Sequence, residues 1–280
     1  MSEIAELRSR IDSLDTDLVR LLNERAEVAK EIGAFKHREG LPIYSPERED
    51  HVLRKLVEKS PGPLTPESLK AIYREIMSAS LALEKDISIA CLGPSGSITH
   101  QASRDKFGSS VKYLILPDVE SVFKEVESGR ADCGVVPIDE ADHGIMSATL
   151  DGLAESSLSI CAQILSPCET GDESRTAARL FVLGKSANPP SGHDSTMLML
   201  RIEDKPGALV QALEPFKEHD INLNHFASRP ASRGSKDIFF FVEAEGHSRE
   251  LQISDVFRSL SMRCRAVKML GSYPKQDLED

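Results

Sequence analysis

The stretch from Ile4 to Lys36, IAELRSRIDSLDTDLVRLLNERAEVAKEIGAFK, decides how this chain begins to fold. Ile4, Leu7, Ile11, Leu14, Leu18, Leu21, Arg25, Val28, Ile32 and Phe35 follow one another at intervals of three and four. That spacing lines one stripe of a helix and buries it against partner helices. Arg25 stands in the stripe where an apolar residue is expected, and a cation there is costly unless an anion meets it. Arg25 and Lys36 are eleven residues apart, about 16 Å along a helix and on nearly one face, so the two could lean together to grip one small dianion. Arg8 is seventeen residues from Arg25, roughly 25 Å along the same rod. If Arg8 belongs to that site, a second protomer supplies it. The alternative is a set of solvated helix-face cations, and the seam position of Arg25 speaks against it.

Outward from this rod the chain stays helical. Gly40-Leu41-Pro42 breaks it, and a second helix opens at Ser45-Pro46-Glu47, with a good N-cap followed by a good first helical residue. Pro61-Gly62-Pro63 breaks the chain again before Thr65-Pro66-Glu67 opens a third helix running to Glu84. One long helix and two short ones cannot close a core alone, so the exposed seam predicts a second copy of the chain.

The character changes at Asp86. Ile87–Leu92 reads as a buried strand ending in the turn Gly93-Pro94-Ser95-Gly96-Ser97, followed by a helical stretch. A strand over Val111–Leu116, a helix over Val119–Ser128 and strands at Cys133–Ile138 and Leu180–Leu183 predict an α/β lobe with a mostly parallel sheet. Asn188-Pro189-Pro190-Ser191-Gly192 reads as a linker. Beyond it, strand Thr196–Ile202, helix Ala208–Glu218, strands Ile221–Ala227 and Asp237–Ala244, helix Leu251–Leu260 and strand Arg265–Leu270 give βαββαβ, the ferredoxin-like order. The expected fold class is multidomain, with segments 1–85, 86–187 and 193–275.

The 280 residues carry a formal charge of −11, which argues against nucleic acid as a partner. Residues 1–85 hold 14 basic and 16 acidic side chains, so their basic cluster is local. Cys91, Cys133, Cys161, Cys168 and Cys264 form no C-x-x-C pair, and no H-E-x-x-H occurs, so neither a zinc site nor a disulfide framework is expected. No run of 18 apolar residues and no apolar leader core is present, so a cytoplasmic protein without membrane partners is expected.

The first segment resembles the all-helical chorismate mutases fused to prephenate dehydratase in phenylalanine biosynthesis. The resemblance rests on Leu7-Arg8-x-x-Ile11-Asp12-x-Leu14-Asp15, Leu21-Leu22-x-x-Arg25, Gly33-x-x-Lys36, Pro46-x-Arg48-Glu49 and Ser78-Ala79-Ser80-Leu81-x-Leu83-Glu84. It implies that Arg25 and Lys36, with Arg8 of the other protomer, hold the carboxylates and ether oxygen of chorismate. Arg48 and Glu49 would sit beside the ring hydroxyl, Ser45 would offer its backbone N–H, and Ser80 and Glu84 would complete the pocket. Related enzymes often carry Gln at the Glu84 position. Chorismate to prephenate is a concerted rearrangement that calls for no cofactor, metal or nucleophile.

The middle segment resembles prephenate dehydratase, through Gly93-Pro94-Ser95-Gly96-Ser97, through Ser121-Val122-Phe123-x-x-Val126-Glu127-x-Gly129-x-Ala131-Asp132-x-Gly134-Val135-Val136-Pro137-Ile138, and through Arg179-Leu180-Phe181-Val182-Leu183-Gly184. It departs from that family in three places. The chain runs from Ile160–Pro167 almost directly to Thr176–Gly184, omitting the second lobe of a two-lobed, periplasmic-binding-protein-like fold. Ala178 takes the place of the catalytic Thr in a Thr-Arg-Phe motif. Asp139-Glu140-Ala141 stand where the family has Glu-Asn-Ser. The expectation is a single lobe without dehydratase activity.

The last segment resembles an ACT regulatory domain, through Asp204-Lys205-Pro206-Gly207-Ala208-Leu209-Val210 and Ala227-Ser228-Arg229-Pro230. A glycine at the strand-to-helix turn lets a small amino acid approach the backbone. By that resemblance Gly207, Ala208, Leu209, Val210, Ser228, Arg229 and Pro230 bind an effector, phenylalanine in relatives, although Ala227 replaces the usual Glu. The leading expectation is therefore a homodimeric or larger chorismate mutase that responds to an amino acid. The alternatives are a bifunctional mutase/dehydratase inhibited by phenylalanine, and a non-catalytic effector-binding protein.

Overall fold

The computed structural model describes residues 3–140, 144–145, 147–167, 177–231 and 235–276. Ala141, Cys168 and Thr176, and the side chain of Glu140, lie outside what is described. The described chain forms two compact units, one of Met1–Tyr44, Ser60–Ile87 and Phe107–Lys112, the other of Ser45–Lys59, Ser88–Lys106 and Tyr113–Asp280.

The first unit is built on helices α1 (Glu3–Glu39) and α3 (Pro66–Glu84). Gly40, at φ +64, lets the chain leave α1, and Leu41 N–H closes the last turn on the Lys36 carbonyl at 2.8 Å. Thr65 caps α3, its hydroxyl accepting from Ser68 N–H at 3.2 Å. The two helices pack where α1 is thinnest, at the buried Ala29 and Gly33. A methyl group at Gly33 would lie 2.8 Å from Glu84 Cβ, so only glycine permits this approach. The apolar seam is not what α1 buries within one chain: Leu7, Leu14, Leu18, Ile32 and Phe35 are exposed, Leu14 by 62%. Contact with α3 uses a different stripe because small residues, not large ones, set the helix separation.

The second unit contains α2 (Pro46–Lys59) and two sheets. The lobe runs β1 (Ser88–Leu92), α4 (Ile98–Phe107), β2 (Lys112–Leu116), α5 (Val119–Ser128), β3 (Cys133–Glu140), β4 (Gly144–Ile145), α6 (Ser147–Glu155), β5 (Ser159–Pro167) and β6 (Ala177–Gly184). Its sheet has the order β2-β1-β3-β6-β5, with β4 against β3. The expected mostly parallel sheet is corrected here: β1 and β3 are parallel, while β3/β6, β5/β6 and β3/β4 are antiparallel. Parallel neighbours need a crossover helix, antiparallel ones do not, and no helix among the described residues separates β5 from β6. The unforeseen α6 and β5 complete the lobe. Val122, Phe123 and Val126 of α5 press on Val136, Phe181 and Leu183 of the sheet, each large apolar side chain contributing about 1.5–3 kcal/mol by burial.

The C-terminal segment follows the βαββαβ order: β7 (Asp194–Glu203), α7 (Ala208–Glu218), β8 (Leu223–Pro230), β9 (Asp237–Glu245), α8 (Leu251–Arg263) and β10 (Ala266–Pro274). The antiparallel sheet reads β10-β7-β9-β8. Helices α7 and α8 cover Leu198, Leu200, Phe240 and Val242. Met197, Met199, Phe241 and Tyr273 face the other way and join the core of the lobe, as the alternation of a strand requires. Both faces are covered, which explains the unbroken burial of Asp194–Leu200. Asn188 is not part of a loose linker. It is buried, and its side-chain amide donates to the carbonyls of Cys161 and, at 3.1 Å, Ser272.

Candidate functional site

Four of the expected mutase residues meet in the first unit. Arg25 donates to Ser80 Oγ, and that hydroxyl donates to the Ile76 carbonyl at 2.8 Å. Eleven residues further along α1, Lys36 Nζ lies 3.2 Å from Glu84 Oε2 and donates to the Ile43 carbonyl at 2.7 Å. The Glu84 side chain is 8% exposed and that of Lys36 19%. The cation in the apolar stripe is thus met by a hydroxyl, and the next by a carboxylate. The Lys36–Glu84 contact depends on the close approach at Gly33, whose part was not foreseen although the residue stood in the quoted motif. A helical glycine spaced to meet a facing side chain was the available signal.

The other candidates are placed separately. Arg8 is exposed on α1. Ser45, Arg48 and Glu49 lie in the second unit at the start of α2, where the Ser45 carbonyl accepts from the N–H groups of Arg48 and Glu49, each at 3.1 Å. Arg48 is exposed, while Glu49 Oε2 lies 3.1 Å from Lys106 Nζ of α4.

In the lobe, Ala178 is buried on β6 with no hydroxyl to offer. Its neighbour Arg179 is largely buried in a cluster that the sequence reading missed, with its Nε left without a hydrogen-bond partner. The guanidinium donates to Glu243 of β9, to Gln163 Oε1 at 3.0 Å and to Tyr273 Oη at 3.3 Å, and it stacks over Phe181. Burial pushes the Tyr273 phenol well above its ordinary range, with the Glu243 charge adding to the rise. His225 of β8, half-buried beside the same charges, is held below its ordinary value by burial and then by Arg179. Asp139, the described part of the Asp139-Glu140-Ala141 stretch, faces Arg179 in the β3–β6 register.

At the expected effector face, Gly207 takes the left-handed conformation, φ +81, immediately before α7. Val210 is 67% exposed, whereas Ala208 is buried and Leu209 packs against the domain core. A cleft of about 190 Å³ opens there, lined by Ile202, Lys205, Ala208, Gln211, Arg263 and Arg265. Ser228 and Pro230 are exposed on β8. Arg229 turns to the lobe, donating to the Ser147 carbonyl of α6 at 3.0 Å and pairing with Asp151. Among the described residues no three His, Cys, Asp or Glu side chains are grouped to hold a metal, and no helix is long and apolar enough to cross a membrane.

Family models match the chain in three successive stretches: chorismate mutase type II over residues 7–85, prephenate dehydratase over 89–170 and the ACT domain over 196–261. The chain is 33% identical to a bifunctional chorismate mutase/prephenate dehydratase of Aquifex aeolicus, with all of both chains covered. That alignment spans 362 positions against the 280 residues here, leaving 82 positions of the comparison without a counterpart in this chain. Among solved structures, an Arthrobacter aurescens prephenate dehydratase in complex with L-Phe is 20% identical at a TM-score of 0.61, covering 68% of this chain and 90% of its own. GqqA, described as a quorum-quenching acylase, is 21% identical at a TM-score of 0.60, covering 68% and 95%. These two establish the fold of the lobe and C-terminal domain and no activity, since one fold hosts many chemistries. The mutase, dehydratase and ACT matches in unbroken order and the full-length relative together place this chain in the bifunctional chorismate mutase/prephenate dehydratase family.

Proposed function

We propose that this protein is a chorismate mutase, using residues 1–85 for catalysis, with 86–187 as a dehydratase-like lobe that has lost its reaction and 193–275 as an amino-acid-sensing domain. The observation that carries the reading is the pairing of Arg25 with Ser80 and of Lys36 with Glu84, two polar contacts set along one helix pair. The reaction breaks one C–O bond and forms one C–C bond within a single molecule. The protein therefore has to hold the substrate in its compact conformer and aim donors at the ether oxygen as it gains negative charge. Arg25 and Lys36 serve the carboxylates and that oxygen, Ser80 and Glu84 line the pocket, and Ser45, Arg48 and Glu49 face the ring hydroxyl.

Two copies of the chain complete the site. The exposed seam of α1 supports this, since large apolar residues in a continuous row favour burial against another helix. Arg8 of one protomer then joins Arg25 and Lys36 of the other. The loss of dehydratase chemistry is supported by the buried methyl of Ala178 and by the engagement of Arg179 with Glu243. Phenylalanine is the proposed effector, received where Gly207 opens the first turn of α7, with Ser228, Arg229 and Pro230 alongside. The Arthrobacter aurescens relative holding L-Phe supports this choice.

The test follows chorismate absorbance and then assays the product. Prephenate accumulates, phenylpyruvate does not form enzymatically, and Ala178→Thr does not introduce it. Arg8→Ala and Arg25→Ala are each inactive alone and regain activity when mixed as heterodimers, because one of the two sites then has both arginines. Absence of chorismate turnover, or failure to complement after demonstrated subunit exchange, contradicts the reading.

A further inference from the structure

Lys106 lies in the last turn of α4, outside the segments given a part in mutase chemistry. Its ammonium is 3.1 Å from Glu49 Oε2, and the two side chains are largely buried, 24% and 14% exposed. The contact lies inside the second unit, where α2 is firmly seated. Helix α2 packs on β10, Pro46 is buried, and Arg54 reaches the Ser191 carbonyl at 3.5 Å. Consecutive helical residues point about 100° apart, and this separates the two motif residues of α2. Arg48 stands in solvent while Glu49 is drawn toward α4.

We infer that Lys106 is a positioning residue for the mutase reaction: it fixes the Glu49 carboxylate for the ring hydroxyl of chorismate and offsets its charge against the dianionic substrate. This rests on the proposed role of Glu49. A carboxylate placed against a dicarboxylate repels it, and in a partly desolvated site a cation in contact with that carboxylate removes much of the repulsion. The long Glu side chain also loses rotamer freedom on binding, a cost that a preformed ion pair lowers. The lobe without its own reaction thereby keeps a task, because it carries the cation that readies a carboxylate of another segment.

The experiment uses the full chain, with steady-state chorismate kinetics and thermal melting for Lys106→Met, Lys106→Arg, Glu49→Gln and the double variant Glu49→Gln/Lys106→Met. Glu49 serves substrate and transition state alike, so its disturbance falls on KM. Lys106→Met is expected to raise KM by about five- to tenfold with kcat within about twofold, and Lys106→Arg to restore KM to within about twofold. In the Glu49→Gln background the Lys106→Met change has no further effect on KM, since the charge it serves is gone. An unchanged KM in Lys106→Met, while Glu49→Gln raises it, overturns this inference and leaves the mutase assignment standing. Additive losses, accompanied by a lowered melting temperature that Lys106→Arg does not repair, assign Lys106 to seating α2 and likewise overturn it. An unchanged KM in Glu49→Gln removes Glu49 from the site and takes the inference with it.

Discussion

Lys36 Nζ lies 3.2 Å from Glu84 Oε2 across the α1–α3 contact, a cation and a carboxylate at one end of the proposed pocket. The Lys36 ammonium is a donor, whereas a carboxylate only accepts. A carboxylate there accepts from Lys36 and has nothing to give the ether oxygen. Glu84→Gln supplies an amide donor at this place, so its kcat for chorismate is expected to rise by about tenfold. An unchanged kcat in this variant would remove position 84 from contact with the ether oxygen.

Gly33 makes that meeting possible. A Cβ at this position would come within 2.8 Å of both Cβ and Cγ of Glu84, and these atoms lie at the root of the side chain, where it cannot swing aside. Gly33→Ala gains helix propensity, worth about 1 kcal/mol, yet overpacks the contact at a cost of about 1–3 kcal/mol. The helices separate and Lys36 loses Glu84. The expected result is a loss of kcat/KM for chorismate of more than about tenfold with a lowered melting temperature. Full activity in this variant would show that the helix separation is not what sets the site.

The sequence made the helical set, the α/β lobe and the βαββαβ order legible because breaks such as Gly40-Leu41-Pro42 and caps such as Thr65 act locally. The candidate residues Arg25, Lys36, Ser80 and Glu84 were legible as a motif, and two of them were singled out by position alone. What escaped depends on contacts between distant segments. The antiparallel pairing of β5 and β6 follows from the short route between them, not from the composition of either strand. Asn188 reads as linker by its Pro and Gly neighbours, but its amide is fixed by carbonyls on two other strands. The Arg179 cluster was hidden for the same reason: Gln163, Glu243 and Tyr273 are scattered over 111 positions and converge only when the C-terminal sheet closes on the lobe.

That cluster makes a stability prediction. The Arg179 side chain is 12% exposed and Glu243 5%, so removing one partner leaves an uncompensated buried charge. Glu243→Ala is expected to destabilise the second unit by about 3–5 kcal/mol. Replacing both residues by apolar side chains of similar volume is expected to be close to neutral or mildly stabilising, because neither charge then has to be desolvated. Urea denaturation of the two variants distinguishes a buried pair from a solvated one. Equal and small losses in both would mean that water reaches the guanidinium.

His225 gives the same cluster an acid limit. Its Nε2 is buried without a hydrogen-bond partner, and the ring faces Arg179, Glu243 and Asp139. Burial, then Arg179, lowers its proton affinity, while the two carboxylates work in the opposite direction. A group depressed in the folded state takes up protons more readily when unfolded, so unfolding is favoured wherever the unfolded chain holds the extra proton. The stability that neutral His225 contributes is fully present above its ordinary value of 6.5 and is lost as pH falls from there through the folded value. His225→Gln keeps a polar side chain without the titration, and its melting temperature is expected to fall less between neutral and mildly acidic pH than that of the wild type. Parallel curves across that range would assign the acid sensitivity to other groups.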